Sequence, residues 1–194
     1  PRWSPGGGSV MYELDATTHV VSLDETCGQS SFVAAMAAWM GDGSQIAYVA
    51  DSTLHAMDMW TGEAVQLTDG PERIWGVAAS LDGVHAAYVA SDDVGVLLRV
   101  VDVFTREMWE ARTFRGIWPW SLAWSPDGRT LAYCVGGADE RGGQRVSVCL
   151  LDVRFVGAEG GWEPRTVATF VTDPRCAGLA WSPDSRAVAI AARM

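Results

Sequence analysis

The chain has 194 residues, 48% of them hydrophobic and 20% charged, with a net charge of −10. That length suffices for one ordinary core, and the acidity excludes a nucleic-acid backbone as the main partner, because phosphate binding needs clustered cations. No apolar run approaches the roughly 18–20 residues of a membrane-spanning helix, so no membrane insertion is expected.

The chain opens at Pro1-Arg2-Trp3, with no initiator Met and no signal-peptide pattern, already inside a repeated word. This predicts an internal segment of a longer protein. All fourteen cations are Arg, and Lys and Asn are absent, which fits a GC-rich genome. The segment therefore has no N-glycosylation acceptor and no lysine to acetylate.

In chain order, the first unit carries Trp3-Ser4-Pro5-Gly6-Gly7, then Tyr12, then a β-rich run from Val20 to Asp24. Ser31 to Met40 is the nearest approach to a helical pattern, yet its Ala-rich stretch, Val33 to Ala38, reads better as the inner strand of the second unit. That unit continues with Trp39-Met40-Gly41-Asp42-Gly43, Tyr48, a run from His55 to Asp58, the compact link Trp60-Thr61-Gly62-Glu63 and a fourth run from Ala64 to Thr68. The third has Val77-Ala78 leading into Ala79-Ser80-Leu81-Asp82-Gly83, then Tyr88, Arg99 to Asp102 and Glu107 to Phe114. The fourth holds the cleanest word, Trp124-Ser125-Pro126-Asp127-Gly128, with Tyr133, Cys149 to Asp152 and Arg165 to Val171. The fifth has Leu179-Ala180, Trp181-Ser182-Pro183-Asp184-Ser185 and Ile190.

The word positions 3, 39, 79, 124 and 181 stand 36, 40, 45 and 57 residues apart, and an aromatic follows nine residues later in the first four copies. Each copy reads as strand, Asp-Gly-type turn, strand, which is a β-hairpin signature. Four strands per unit of about 40–45 residues is the period of a propeller blade. A lone four-stranded sheet buries too little to fold, so the sheets should stack face to face with small apolar inner strands. The Trp and Tyr of the word then read as packing between blades. The expected architecture is all-β: one β-propeller segment over residues 1–194, of four-stranded antiparallel blades, about four and a half present, in a larger or incomplete ring. Its units are 1–34, 35–72, 73–116, 117–174 and a partial 175–194.

The run Trp124-Ser125-Pro126-Asp127-Gly128-Arg129-Thr130-Leu131-Ala132-Tyr133 resembles the Pro-Asp variant of WD-like repeats found in TolB-like propellers. Met57 to Gly70 is similar to that family's link from third to fourth strand and onward. The resemblance covers most of the chain, and its motif is specific for fold and poor for function. Such repeats occur in periplasmic scaffold proteins, in the propeller caps of prolyl-oligopeptidase-type serine peptidases and in scaffolds of large eukaryotic assemblies. The resemblance implies six to eight blades in a closed ring.

Catalytic patterns are missing. There is no Gly-x-Ser-x-Gly elbow, Walker-type loop or HExxH. His19, His55 and His85 lie in or next to strand runs and read as strand histidines. Gly6-Gly7-Gly8 is a worn turn rather than a phosphate cradle. Asp92-Asp93 and Asp139-Glu140-Arg141 lack the ligand spacing of a Ca²⁺ loop. Cys27, Cys134, Cys149 and Cys176 have no zinc-ligand spacing. Cys134 and Cys149 fall on consecutive strands and could approach each other, but free buried thiols are the better reading, and the redox compartment stays open. No catalytic residue, cofactor or metal is expected.

What remains is a binding surface. The loops that lead from each outer strand into the next inner strand carry Pro71-Glu72-Arg73-Ile74-Trp75, Arg115 to Trp120, and Asp173-Pro174-Arg175-Cys176. Arg73, Trp118 and Arg175 each stand six residues before their word position, so they should share a place on three blades. Arg and Trp are enriched at interface hot spots, and loops on a scaffold often carry function. Arg73, Trp75, Arg115, Trp118, Trp120 and Arg175 are therefore the candidate partner-binding residues. The alternative is that these Trp side chains plug seams while the Arg residues pair with Asp92, Asp93 or Asp139. The expected function is a non-catalytic scaffold for other proteins in a larger assembly. The alternatives are the substrate-gating propeller of a serine peptidase and a periplasmic TolB-like protein.

Overall fold

The computed structural model describes residues 1–23, 28–34, 36–70, 73–113, 116–117, 121–138, 144–155, 164–171 and 178–191. The first sheet holds β1 (Arg2–Trp3), β2 (Ser9–Leu14), β3 (Thr17–Ser22) and β4 (Gln29–Val33). The second holds β5 (Met36–Met40), β6 (Gln45–Ala50), β7 (Thr53–Asp58) and β8 (Ala64–Gln66). The third holds β9 (Arg73–Ala79), β10 (His85–Ser91), β11 (Val96–Asp102) and β12 (Met108–Thr113). In the fourth, the inner position is split into β13 (Gly116–Ile117) and β14 (Ala123–Trp124), followed by β15 (Thr130–Ala138), β16 (Gln144–Asp152) and β17 (Arg165–Val171). A two-stranded sheet of β18 (Gly178–Trp181) and β19 (Val188–Ala191) ends the described chain. Among the described residues every pairing is antiparallel and within a blade, as the repeat predicts, and joins sequence neighbours except that β13 pairs with β15 beyond β14.

Two expectations need correction. The run Val33 to Ala38 is not one strand: Val33 closes β4 and Met36 opens β5. An outer strand and the next inner strand abut there, so apolar residues run on across the boundary. The stretches read as incoming loops are also partly strand. Arg73, Ile74 and Trp75 belong to β9, while Gly116 and Ile117 pair with Gly136 and Val135.

The word sets the hairpin register. Trp3, Trp39, Ala79, Trp124 and Trp181 lie opposite Val10, Ile46, Ala86, Leu131 and Val188, seven residues onward in every copy. Side chains alternate sides along each strand, so one register sends equivalent residues to equivalent seams.

Among the described residues the buried apolar side chains form four clusters, one per seam. Met11 and Val20 of the first sheet meet Ala37, Trp39 and Ile46 of the second. Val49 and Leu54 meet Val77 and Tyr88 across the next. Val89 and Leu98 meet Trp124, Leu131 and Tyr133. Cys134 and Val148 meet Leu179 and Ile190. Trp39 and Trp124, with Tyr48, Tyr88 and Tyr133, thus act as packing residues between blades, whereas Trp3 is exposed. Phe32 of β4 also lies edge-on to Tyr48 of β6, with ring centroids 5.0 Å apart.

Candidate functional site

The polar residues of the word are occupied in building its own turn. In the fourth blade, Ser125 Oγ donates to Asp127 Oδ1 at 2.6 Å and accepts the Thr130 N–H at 2.9 Å. Asp127 Oδ1 accepts the Arg129 N–H at 3.1 Å, and Gly128 N–H returns to the Ser125 carbonyl at 2.9 Å. Ser182, Asp184 and Ser185 repeat this arrangement. Bonds to Ser125, first, and to the Arg129 N–H hold the Asp127 carboxyl below the usual carboxylate range, though burial opposes them.

These turns touch from each blade to the next. A Cβ on Gly43 would lie 3.2 Å from Ser4, and one on Gly83 would lie 3.5 Å from Gly41. The Asp127 N–H donates to Ser185 Oγ at 3.1 Å. The indole N–H groups add a second tie between blades. Trp39, Trp124 and Trp181 donate to the carbonyls of Arg2, Ala78 and Ala123, at 3.1, 3.2 and 2.9 Å. Each acceptor immediately precedes the word position of the blade before.

Of the candidate binding residues, Arg73 and Trp75 are described and lie together. Arg115, Trp118, Trp120 and Arg175 fall outside the described residues, as do Asp139, Glu140, Arg141, Cys27 and Cys176. Trp75 is the extra residue of a β-bulge: Val89 faces Gly76 and Ala90 faces Ile74, which leaves Trp75 unpaired between them. A bulge re-aims the side chain it displaces, and Trp75 is 42% exposed. Its indole N–H donates to Ser91 Oγ at 2.9 Å, and the Arg73 guanidinium lies 4.2 Å from the ring centroid. The Arg–Trp stack and the Ser91 bond fix the ring in one orientation.

Trp75 borders a cavity of about 680 Å³ bounded by inner strands, with Arg2, Met36, Val77, Leu122 and Trp124 in its lining. Arg2 donates to the Ala37 carbonyl and Glu13 accepts the Ala37 N–H at 3.2 Å, so opposite charges hold the two peptide groups that flank Ala37 in β5. Apolar walls with a few fixed polar groups suit a protruding peptide side chain or small ligand.

The histidines sit in aromatic stacks. His19 lies on Tyr12 at 4.9 Å, His55 on Tyr48 at 5.2 Å and His85 on Trp124 at 5.8 Å. His55 Nε2 is also 2.7 Å from Thr53 Oγ1. Burial pushes the His85 imidazole below its ordinary value, against Asp82 and Asp102, which pull it up. Cys134 and Cys149 are free. Cys149 lies opposite Tyr133, and Cys134 opposite Val148, so adjacent ladder positions send the two thiols to opposite faces of the sheet. Burial raises both thiols, Cys134 to about 11, which keeps them unreactive at neutral pH. Among the described residues, no three His, Cys, Asp or Glu side chains converge as a metal site requires.

A second feature escaped the sequence reading. The turns from third to fourth strand in blades two and three are built alike. Asp58 Oδ1 accepts the N–H groups of Trp60 and Thr61 at 2.8 and 2.9 Å, and Asp102 Oδ1 those of Phe104 and Thr105 at 2.8 Å each. Gly62 and Arg106 take φ of 71° and 62° at the same place. Both turns hold an aromatic in solvent, Trp60 at 90% exposure and Phe104 at 71%. The signal was the shared Asp-x-aromatic-Thr pattern at 58–61 and 102–105. It was hidden because 58–63 reads as a structural link.

No family model and no curated protein sequence matches the chain. Solved structures do. TolB from Acinetobacter baumannii superposes with a TM-score of 0.68 at 18% identity, over 96% of this chain and 47% of that one. Kuenenia stuttgartiensis hydrazine synthase gives 0.67 at 18%, over 98% and 54%. A β-propeller domain from Myceliophteria thermophila gives 0.64 at 14%, over 98% and 64%. The chain thus spans about half the length of the first two. At these identities the likeness establishes the TolB- and WD-like β-propeller fold, and the variety of names carried by that fold leaves function to the site.

Proposed function

We propose that this chain is a non-catalytic β-propeller segment that binds another protein, with the cavity beside Arg73 and Trp75 as the contact site. The observation that carries this reading is the bulge at Trp75. It lifts a large aromatic out of the sheet while Arg73 and Ser91 hold the ring in place. Pre-ordered aromatic and Arg side chains beside a recess are the usual anchors of protein interfaces, because little side-chain entropy is lost on binding. The aromatic stacks around the histidines and the raised thiols favour a binding role over general-base or nucleophilic chemistry.

The test compares the wild-type chain with Trp75→Ala as immobilised bait in extract of the source cells, with thermal melting of both. A partner recovered by wild type should fall several-fold with Trp75→Ala while the melting temperature stays within about 1–2 °C. Equal recovery, or a parallel fall in melting temperature, would make Trp75 a packing residue and overturn the assignment.

A further inference from the structure

Trp60 and Phe104 stand at the opposite end of the sheets from Trp75. In blade three, Arg73 pairs with Ser91 at one end, and His85 pairs with Asp102 at the other. Phe104 follows Asp102, and Trp60 follows Asp58, which pairs with Gln45 at the matching end of blade two. The two aromatics therefore share one face with the word turns.

Both are presented on braced turns rather than on free loops. The Met59 N–H donates to the Ser44 carbonyl at 2.8 Å and the Val103 N–H to the Val84 carbonyl at 2.9 Å, tying each turn to the hairpin beside it. Thr61 and Thr105 hydroxyls accept the Glu63 and Glu107 N–H groups at 3.2 Å each. The Asx bonds fix the peptides on which the rings sit. Repeated, ordered exposure of a large aromatic costs hydration free energy that a buried position would recover, so a partner surface is the natural occupant.

The charge around the rings states which partner. Asp42, Asp58 and Glu63 belong to the turns of blade two, and Asp82, Asp102 and Glu107 to those of blade three, against Arg106. Bonds from Thr61 and Trp60 hold the Asp58 carboxyl below the usual range, and bonds from Ser44 do so for Asp42. Those two acids therefore remain ionised at neutral pH. The pattern stops at blade four. Arg154 takes the place of Trp60 and Phe104 there and bridges Asp152 at 2.6 Å. Beside Trp60 a cleft of about 580 Å³ runs along the seam with blade one, lined by Ser4, Asp42, Ser44 and Met59.

We propose that Trp60 and Phe104 form a docking surface for a Lys/Arg-bearing peptide segment of another protein. A guanidinium or ammonium lies over each ring while its charge faces the neighbouring carboxylates, and the cleft beside Trp60 takes an aliphatic stem. This surface does not depend on the Trp75 site.

The probe is a fluorescein-labelled peptide of alternating Arg and Gly, about ten residues long, with a Glu-Gly peptide of equal length as control. Fluorescence anisotropy is read against wild type, Trp60→Ala/Phe104→Ala, Glu63→Gln/Glu107→Gln and Trp75→Ala. The Arg-Gly peptide should bind wild type and Trp75→Ala alike, and the aromatic double variant about 10-fold or more weakly. The Gln pair should weaken binding several-fold and flatten its salt dependence. The Glu-Gly peptide should not bind. Wild type that ignores the Arg-Gly peptide, or a double variant that binds it as well as wild type at an unchanged melting temperature, overturns the proposal. Loss of binding only with Trp75→Ala would assign the peptide to the other face and equally overturn it.

Discussion

Gly128 and Gly62 have nearly the same backbone angle, φ of 70° and 71°, and very different surroundings. A Cβ on Gly62 meets nothing within 4 Å. A Cβ on Gly128 would lie 2.2 Å from Asp82 Oδ2 and 2.5 Å from its Cγ. That carboxylate is not free to swing away, because its other oxygen accepts from Ser80 Oγ and from the Val84 N–H. Gly62→Ala therefore adds only the left-handed strain of an L-residue, about 1 kcal/mol. Gly128→Ala adds that strain and displaces Asp82 from hydrogen bonds worth about 1 kcal/mol each, for a total of about 2–4 kcal/mol. Urea denaturation midpoints of the two variants measure the difference, and equal losses would show that blades three and four do not abut at this turn. Ser185 holds the equivalent place in the fifth copy with φ of 59°, so a non-glycine fits there when its side chain is used, here to accept the Asp127 N–H.

At the scale of the element, the same word carries unequal weight according to what lies before it. Trp124 is 8% exposed, stacks on His85 and donates to the Ala78 carbonyl of the preceding blade. Trp3 occupies the same register in β1 and is 64% exposed. Trp124→Ala should cost about 3–5 kcal/mol. Trp124→Phe keeps the ring and loses chiefly the indole hydrogen bond, about 1 kcal/mol. Trp3→Ala should stay within about 1 kcal/mol. Chemical denaturation of the three variants orders them, and a Trp3→Ala loss as large as that of Trp124→Ala would contradict the seam role. This is also where sequence legibility divides. The hairpins could be read because Ser, Asp and Gly of the word each make a local bond or angle that the turn requires. The Trp-to-Tyr spacing then propagated one register through four copies. The bulge at Trp75 could not be read, because it arises from pairing with β10 and no residue preference marks it. The split of β13 from β14 was hidden inside an aromatic-rich stretch taken as loop. The separation of Cys134 from Cys149 needed the register of β15 on β16, since a slip of one residue would have put both on one face.

At the scale of the whole molecule, stability is distributed along the seams. Blades two, three and four each lie between two apolar clusters, while blade one contributes to a single cluster through Met11 and Val20. Among the described residues the final hairpin meets only the cluster around Cys134, and β18 and β19 alternate between exposed and half-buried residues without one buried position. Each sheet then gains its order from its neighbours, as in an array whose stability is a sum of unit and interface terms. Prepared as these 194 residues alone, such an array opens from its outer sheets, and each amide exchanges at the free energy of the smallest opening that exposes it. Peptides from 178–191 should therefore take up deuterium first, and those from 2–14 next. Peptides from 85–102, 130–138 and 144–151 should exchange last, because their strands are packed on both faces, as with Ala87 and Tyr88 of β10, which are fully buried in different clusters. Trp124→Ala, at the seam of blades three and four, should collapse the difference by speeding both central regions together. Trp3→Ala should leave them unchanged. Hydrogen–deuterium exchange read by mass spectrometry decides the matter. Uniform protection from end to end would mean that the blades unfold as one unit, and a central region faster than the ends would refute the seam account of where the stability lies.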